Sequence, residues 1–446
     1  MFARPHDWIR RVRLSPLVVL AAVAALSLGA RAVLLDEPCR LPCRSANDHL
    51  LVFDEDYYVN AARVIAGIRP PHGSPYAGAP LGDDPNAEHP QLAKLVMAGS
   101  IELFGDGPLA WRLGSLVMGT AAVLGMFALA RAAGADPWVA LGAAALMALD
   151  NLQLVHARIA TLDAYALAAM VWGGALYLRR RPVLAGVVIG VGACAKEVAP
   201  YAVVALALLE LFRWSIERGR DVAVAAAMRV VACAVATAGT FVGLLAVLDR
   251  IATPYADAAH QVITGGAFAH IGHILSYGAA ETSPHGPTGI ASYPWEWLGD
   301  YKPISYLTIN PQEPAPGLYH VHPSVHFLGM ISPPILLAGL VGAVMAAVAV
   351  AQARAAGRLR GAVAGSEIGI VGLAWFLGTF VPFELLSAIY SRTSYLYYMV
   401  VVMPGLYLVA MHLVERFTPG RRLLAGSLIA VVVAAVIMYP FTPLPF

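Results

Sequence analysis

The chain has 446 residues, 59% of them hydrophobic and 13% charged, with a formal net charge of +2 and a mean hydropathy of +0.67. So much apolar surface excludes a water-soluble fold of this length, and the near-neutral charge, with no basic stretch interleaved by aromatics, argues against nucleic acid as a partner. What is left is an integral membrane protein, predicted to be all-α because lipid offers no hydrogen-bond partner to an open backbone.

About eleven apolar stretches, most of roughly 18 to 25 residues, are predicted as spanning helices of one polytopic domain over residues 1–446. In chain order they are 14–35, 108–131, 137–155, 161–178, 182–199, 201–212, 222–248, 327–351, 367–390, 395–414 and 423–439. The first follows Arg4, Arg10, Arg11 and Arg13 and is longer than a secretory signal core, so it is read as an uncleaved helix with the N-terminus in the cytoplasm. Arg131, Arg179 to Arg181, Arg213, Arg218, Arg220, Arg354, Arg358, Arg360, Arg416, Arg421 and Arg422 then fall at alternate turns, the inner ones. Richness in alanine and arginine with few lysines suits a high-GC bacterial genome, and hence a bacterial plasma membrane.

Two regions are too polar and too rich in proline to cross lipid, 36–107 and 250–326, and both are expected on the extracytoplasmic side. The first holds two amphipathic stretches, 57–68 and 92–104, suited to helices lying at the interface. It also holds Cys39 and Cys43, two of the four cysteines, which would form a small disulfide in an oxidising compartment or remain as thiols. Cys194 and Cys233 are expected as small core residues.

The chemistry concentrates at the ends of the spans. Asp54, Glu55 and Asp56 with Tyr57 and Tyr58 open the first loop, and acid grouped where a membrane chain meets water points to catalysis or ion handling. All three lysines, Lys94, Lys196 and Lys302, fall on the predicted outer side with Arg63, Arg112, Arg158 and Arg392. Positive charge there runs against the orientation rule, and either an anionic ligand or pairing with carboxylates such as Asp150, Asp163 and Glu197 would explain it. Ten histidines on the same side (His49, His72, His89, His260, His270, His273, His285, His320, His322 and His326) match no standard zinc spacing. No metal ligands are assigned, and a divalent metal stays open as the cofactor question. Trp295 and Trp297, in the run Ser292-Tyr293-Pro294-Trp295-Glu296-Trp297, suit an interfacial anchor or a platform for a sugar ring.

The order of these motifs resembles the protein O-mannosyltransferase family. The likeness runs from Asp54-Glu55 through Glu88-His89-Pro90 and Lys94, then Phe104, Gly105 and Trp111 to Leu113. It continues at Arg158, Ile159, Leu162 and Asp163, then Lys196-Glu197, the Ser292 to Trp297 run, and Arg392 with Tyr395, Tyr397 and Tyr398. Two departures stand out, a glutamine rather than a second proline after Pro90 and a short late loop.

The resemblance implies a GT-C bundle with interfacial helices in the first loop, and an inverting transferase moving mannose from a polyprenyl-phosphate carrier to an acceptor hydroxyl, such as a protein serine or threonine. It also implies that Asp54 is the catalytic base with Glu55 as its partner. Lys94, Arg112, Arg158, Lys196 and Arg392 would hold the donor phosphate, and Asp56, Tyr57, Tyr58, His89, Asp163, Trp295 and Trp297 would shape the site. The partners expected are the lipid-linked donor, an acceptor protein, glycan or lipid, and membrane lipids. The alternatives are a glycan- or lipid-modifying transferase resembling the aminoarabinose transferases, a transporter, and a non-catalytic lipid-binding protein.

Overall fold

A computed structural model describes residues 15–40, 43–309, 318–319, 325–357, 366–417 and 420–442. Arg4, Arg10, Arg11, Arg13, Arg358, Arg360, His320 and His322 lie outside them.

Every stretch predicted as a span contains a helix. These are α1 (Pro16–Ala32), α4 (Pro108–Ala132), α5 (Pro137–Leu149) followed by the single turn α6 (Asn151–His156), α7 (Asp163–Leu178) and α8 (Pro182–Ala193). After them come α9 (Tyr201–Glu217), α10 (Arg220–Ile251), α13 (Pro333–Ala356), α14 (Ile368–Tyr390), α15 (Met399–Phe417) and α16 (Arg421–Ile437). Proline at the first helical position starts α1, α4, α5, α8 and α13, where its missing N–H costs nothing and its fixed φ suits the helix. Among the described residues five segments are long and apolar enough to cross a membrane: Pro108–Ala132, Arg220–Ile251, Pro333–Ala356, Ile368–Tyr390 and Leu396–Phe417. Shorter apolar helices, α1, α5, α8 and Arg422–Ile437, pack among them.

Small residues let these helices approach closely. A Cβ on Gly186 would lie 2.3 Å from the carbonyl of Cys233, and one on Gly342 the same distance from the carbonyl of Val409, so α8 meets α10 and α13 meets α15 backbone to backbone.

Several boundaries depart from the sequence reading, the stretch 182–199 among them, whose helix ends at Ala193. The stretch 137–155 breaks at Asp150, whose carboxylate accepts from the backbone N–H of Leu152 and Ser332 and from the Tyr407 hydroxyl, turning the chain between α5 and α6. The stretch 327–351 begins too early, because Val325–Gly329 is a strand antiparallel to Ile304–Ile309 and the helix waits for Pro333. The short 201–212 stretch extends instead to Glu217, where Glu210 draws Arg213 and Arg229 into the α9–α10 contact.

The region 36–107 carries the two expected helices, α2 (Glu55–Ile65) and α3 (Leu92–Phe104), packed on each other, with α3 also packed on α4. Their apolar faces form a second core of Val59, Ala62, Met97 and Ile101 around Trp111 and Leu162. Cys39 and Cys43 are joined in a disulfide. The late loop holds α11 (Ala267–Ala280) and the short α12 (Pro294–Trp297) and reaches back to the first: His270 sits between Asp249 and the Ala87 carbonyl.

Candidate active site: a carboxylate at the mouth of a polar cavity

A cavity of about 530 Å³ lies where the two loop regions meet the ends of α7, α9 and α14. Asp54, Tyr57, Tyr58, Glu88 and His89 come from the first loop, Asp163, Lys196, Glu197 and Tyr201 from the helix ends, and Tyr277, Glu281, Arg392, Tyr395, Tyr397 and Tyr398 complete the wall.

The backbone turns sharply to present Asp54. Phe53 adopts φ +56, a left-handed conformation that a bulky residue holds only when its surroundings demand it. Its ring is held there, stacked on Tyr306 at 4.2 Å and edge-on to Tyr397. Asp54 then occupies the cap position of α2, with the Tyr58 hydroxyl 3.4 Å from its carboxylate. Burial raises its pKa to about 6; Lys196 pulls against that shift, the neighbouring Asp163 adds to it, and His89 and Tyr58 pull against it.

Glu55, one residue on, faces the other way. It is fully buried, takes Arg112 through both oxygens at 2.8 Å and accepts from the backbone N–H of Val52 and Ala160 at 2.8 and 2.7 Å. Consecutive helix residues do not share a face, so one carboxylate reaches the cavity and the other ties the start of α2 to the bundle.

The cations divide in the same way. Lys196 lines the cavity, bonded to both oxygens of Asp163 at 2.8 Å, with its ammonium 5.3 Å from the Tyr397 ring centre. Arg392 lines it too and donates to the Gly278 carbonyl. Lys94, Arg112 and Arg158 are absent from the wall. Lys94 is fully buried against Asp84 at 2.7 Å and the carbonyls of Asn86 and His89. Arg158 spends its Nη atoms on the carbonyls of Arg31, Val33 and Leu34, each at 2.6 Å, and lies 4.6 Å over the Phe441 ring. Of the five cations expected to hold the donor phosphate, Lys196 and Arg392 line the cavity, whereas Lys94 is engaged within the first loop and Arg112 and Arg158 tie the chain around that loop to the bundle.

Three more expected residues, Asp56, Trp297 and Trp295, lie off the cavity wall. Asp56 accepts from Asn60 at 2.9 Å in a network running through Arg63 to Asp106 and Trp111. Trp297 is fully buried, donates to Ser292 and packs on Phe383 and Tyr398, so it braces the wall from behind. Trp295 is half exposed, stacked on Tyr293 beside a separate small pocket. Tyr57 lines the cavity with half its surface exposed.

The sequence reading missed Glu88, Tyr277 and Glu281 as wall residues, and it counted Glu197 only as a pairing partner, whereas Glu197 holds His89 at 3.0 Å across the cavity. Adjacency to Lys196 and His89 was the available signal. The described residues with metal-like grouping are Cys39, Cys43 and His49, and the disulfide spends both thiols.

Comparison with known proteins bears on the fold and on part of the sequence. Residues 88–239 match the family model described as dolichyl-phosphate-mannose-protein mannosyltransferase. A 116-residue segment is 33% identical to the polyprenol-phosphate-mannose–protein mannosyltransferase of Corynebacterium glutamicum, covering 26% of this chain and 22% of that relative. The fold is similar to the S. cerevisiae protein O-mannosyltransferase Pmt1-Pmt2 complex bound to the sugar donor (TM-score 0.69, 12% identity, 97% of this chain and 90% of that one). It is also similar to ArnT from Cupriavidus metallidurans bound to undecaprenyl phosphate (TM-score 0.50, 20% identity, 95% and 64%).

The chain thus has a GT-C fold and resembles protein O-mannosyltransferases over residues 88–239. The family match takes in Glu88, His89, Asp163, Lys196 and Glu197 of the cavity, while Asp54 and Arg392 lie outside it. This protein is an integral membrane protein by its apolar helices and by the membrane proteins it resembles.

Proposed function

We propose that this GT-C protein is an inverting glycosyltransferase that moves a sugar, mannose in the first instance, from a polyprenyl-phosphate carrier to an acceptor hydroxyl such as a protein serine or threonine. The observation that carries the reading is the pairing in one cavity of Asp54, whose pKa is pushed up to about 6, with the cations Lys196 and Arg392.

In this mechanism Asp54 takes the proton of the acceptor hydroxyl as its oxygen attacks the anomeric carbon. The bond from that carbon to the phosphate oxygen breaks, and the carrier leaves as polyprenyl phosphate. A single displacement inverts the anomeric centre. Charge growing on the departing phosphate is met by Lys196 and Arg392, which need no reorganisation because Asp163 and the Gly278 carbonyl already hold them. The tyrosines of the wall exclude water that would otherwise hydrolyse the donor.

Topology extends the proposal: eleven crossings with the N-terminus in the cytoplasm put the loop regions 36–107 and 250–326, and the cavity between them, on the extracytoplasmic face of a bacterial plasma membrane. Both regions belong to one membrane domain in this reading. Support comes from the sorting of arginine to the opposite helix ends.

The test is transfer of labelled mannose from polyprenyl-phosphate-mannose by purified protein in detergent, with membrane extract as acceptor. Label moving onto protein supports the proposal. Carrier binding with no sugar transfer from this or an aminoarabinose-type donor would sink it.

A further inference from the structure

Behind the active-site cavity lies a smaller one, and its wall contains a charge with no partner. Arg31, on the last turn of α1, is 1% exposed, and its Nε and Nη1 find no hydrogen-bond acceptor among the described residues. The guanidinium lines a small cavity of about 10 Å³, bounded by Gly119, Gln153, His156 and otherwise apolar side chains, with room for one small occupant. A Cβ on Gly119 would stand 3.3 Å from Arg31 Nη1 and 2.2 Å from the Ala157 Cβ, so the glycine keeps that space open.

The second unpartnered group on the same wall is His156 Nδ1. Its other nitrogen, Nε2, is 2.8 Å from the Tyr306 hydroxyl. The Asp163 carboxylate stands 3.9 Å from Nδ1, beyond bonding distance, and both its oxygens are taken by Lys196.

We infer that this cavity is a binding site for a monovalent, halide-sized anion, held by Arg31 and by His156 Nδ1–H. A water would satisfy the donors but leave a guanidinium charge uncompensated in a dry interior, which is costly. An anion satisfies both conditions. It also selects one histidine tautomer: Nδ1–H donates to the ion and Nε2 accepts from the Tyr306 hydroxyl. Tyr306 stacks on Phe53 and His156 stacks on Tyr397, so the ion would brace the wall that presents Asp54. The binding claim is independent of the glycosyl-transfer proposal.

The test compares the thermal unfolding midpoint of the purified protein in gluconate, sulfate, chloride and bromide salts at constant ionic strength. The expected result is a saturable rise of about 2 °C or more with chloride and bromide alone, lost in Arg31→Met. Identical midpoints in all four salts, or an undiminished halide response in Arg31→Met, would overturn the inference. If that variant does not fold, crystals of the wild type soaked in bromide decide the matter: an anomalous peak between Arg31 and His156 supports the site, and its absence while bromide scatters elsewhere shows that water fills the cavity.

Discussion

Two layers of paired charge lie within a few residues of each other and do opposite work. In the inner layer, Glu55 with Arg112 and Asp84 with Lys94 are fully buried ion pairs with every oxygen or nitrogen directed at protein. In the cavity layer, Asp54, Asp163, Lys196, Glu197 and Arg392 face an open volume. Similar residue types are therefore locked into protein in one layer and left facing a cavity in the other, which the proposed function makes the reaction surface, and substitutions should separate the two layers by what they damage.

The largest effect is expected in the cavity layer. Asp54→Asn keeps the shape of the side chain and removes its basicity, so turnover should fall by about two to four orders of magnitude, measured as mannose transfer at saturating donor. In the inner layer, Arg112→Met leaves Glu55 buried and unpaired and should cost about 3–5 kcal/mol of stability, read from unfolding in detergent. Arg392→Ala removes one of the two cations proposed to meet the donor phosphate and should lower kcat/KM by about ten- to a hundredfold while the unfolding midpoint barely moves. An unchanged kcat/KM would take Arg392 out of the mechanism.

The pH profile sharpens the same distinction. A general base works only when deprotonated, and burial raises the Asp54 pKa to about 6. Activity should then be level above pH 6 and fall about tenfold per unit below it. A profile that stays flat down to an ordinary aspartate pKa would contradict that assignment. The smallest effect belongs outside both layers: Trp295→Ala, at a half-exposed ring, should change stability by no more than about 0.5 kcal/mol and leave turnover unchanged.

The helical segments were legible in the sequence because lipid forces long apolar runs into helices, and α2 and α3 were legible from their amphipathic pattern. The break at Asp150 was not, since it depends on Tyr407, which is 257 positions away. Nor could the sequence sort the cations. Lys94 and Lys196 both follow an alanine near an apolar run, yet one meets Asp84 inside the loop and the other meets Asp163 at the cavity. The partner of Arg112 is 57 residues distant, and the partners of Arg158 are backbone carbonyls that carry no side-chain signal at all. Asp54 and Glu55 could be located as a pair, but their division of labour required the direction of the turn at Phe53.

The most direct measurement is turnover and unfolding midpoint together for Asp54→Asn and Glu55→Gln. The account predicts that Asp54→Asn loses transfer at an essentially unchanged midpoint, whereas Glu55→Gln lowers the midpoint, and its folded fraction retains more activity than Asp54→Asn. Wild-type turnover in Asp54→Asn, or a stable but inactive Glu55→Gln, would contradict it.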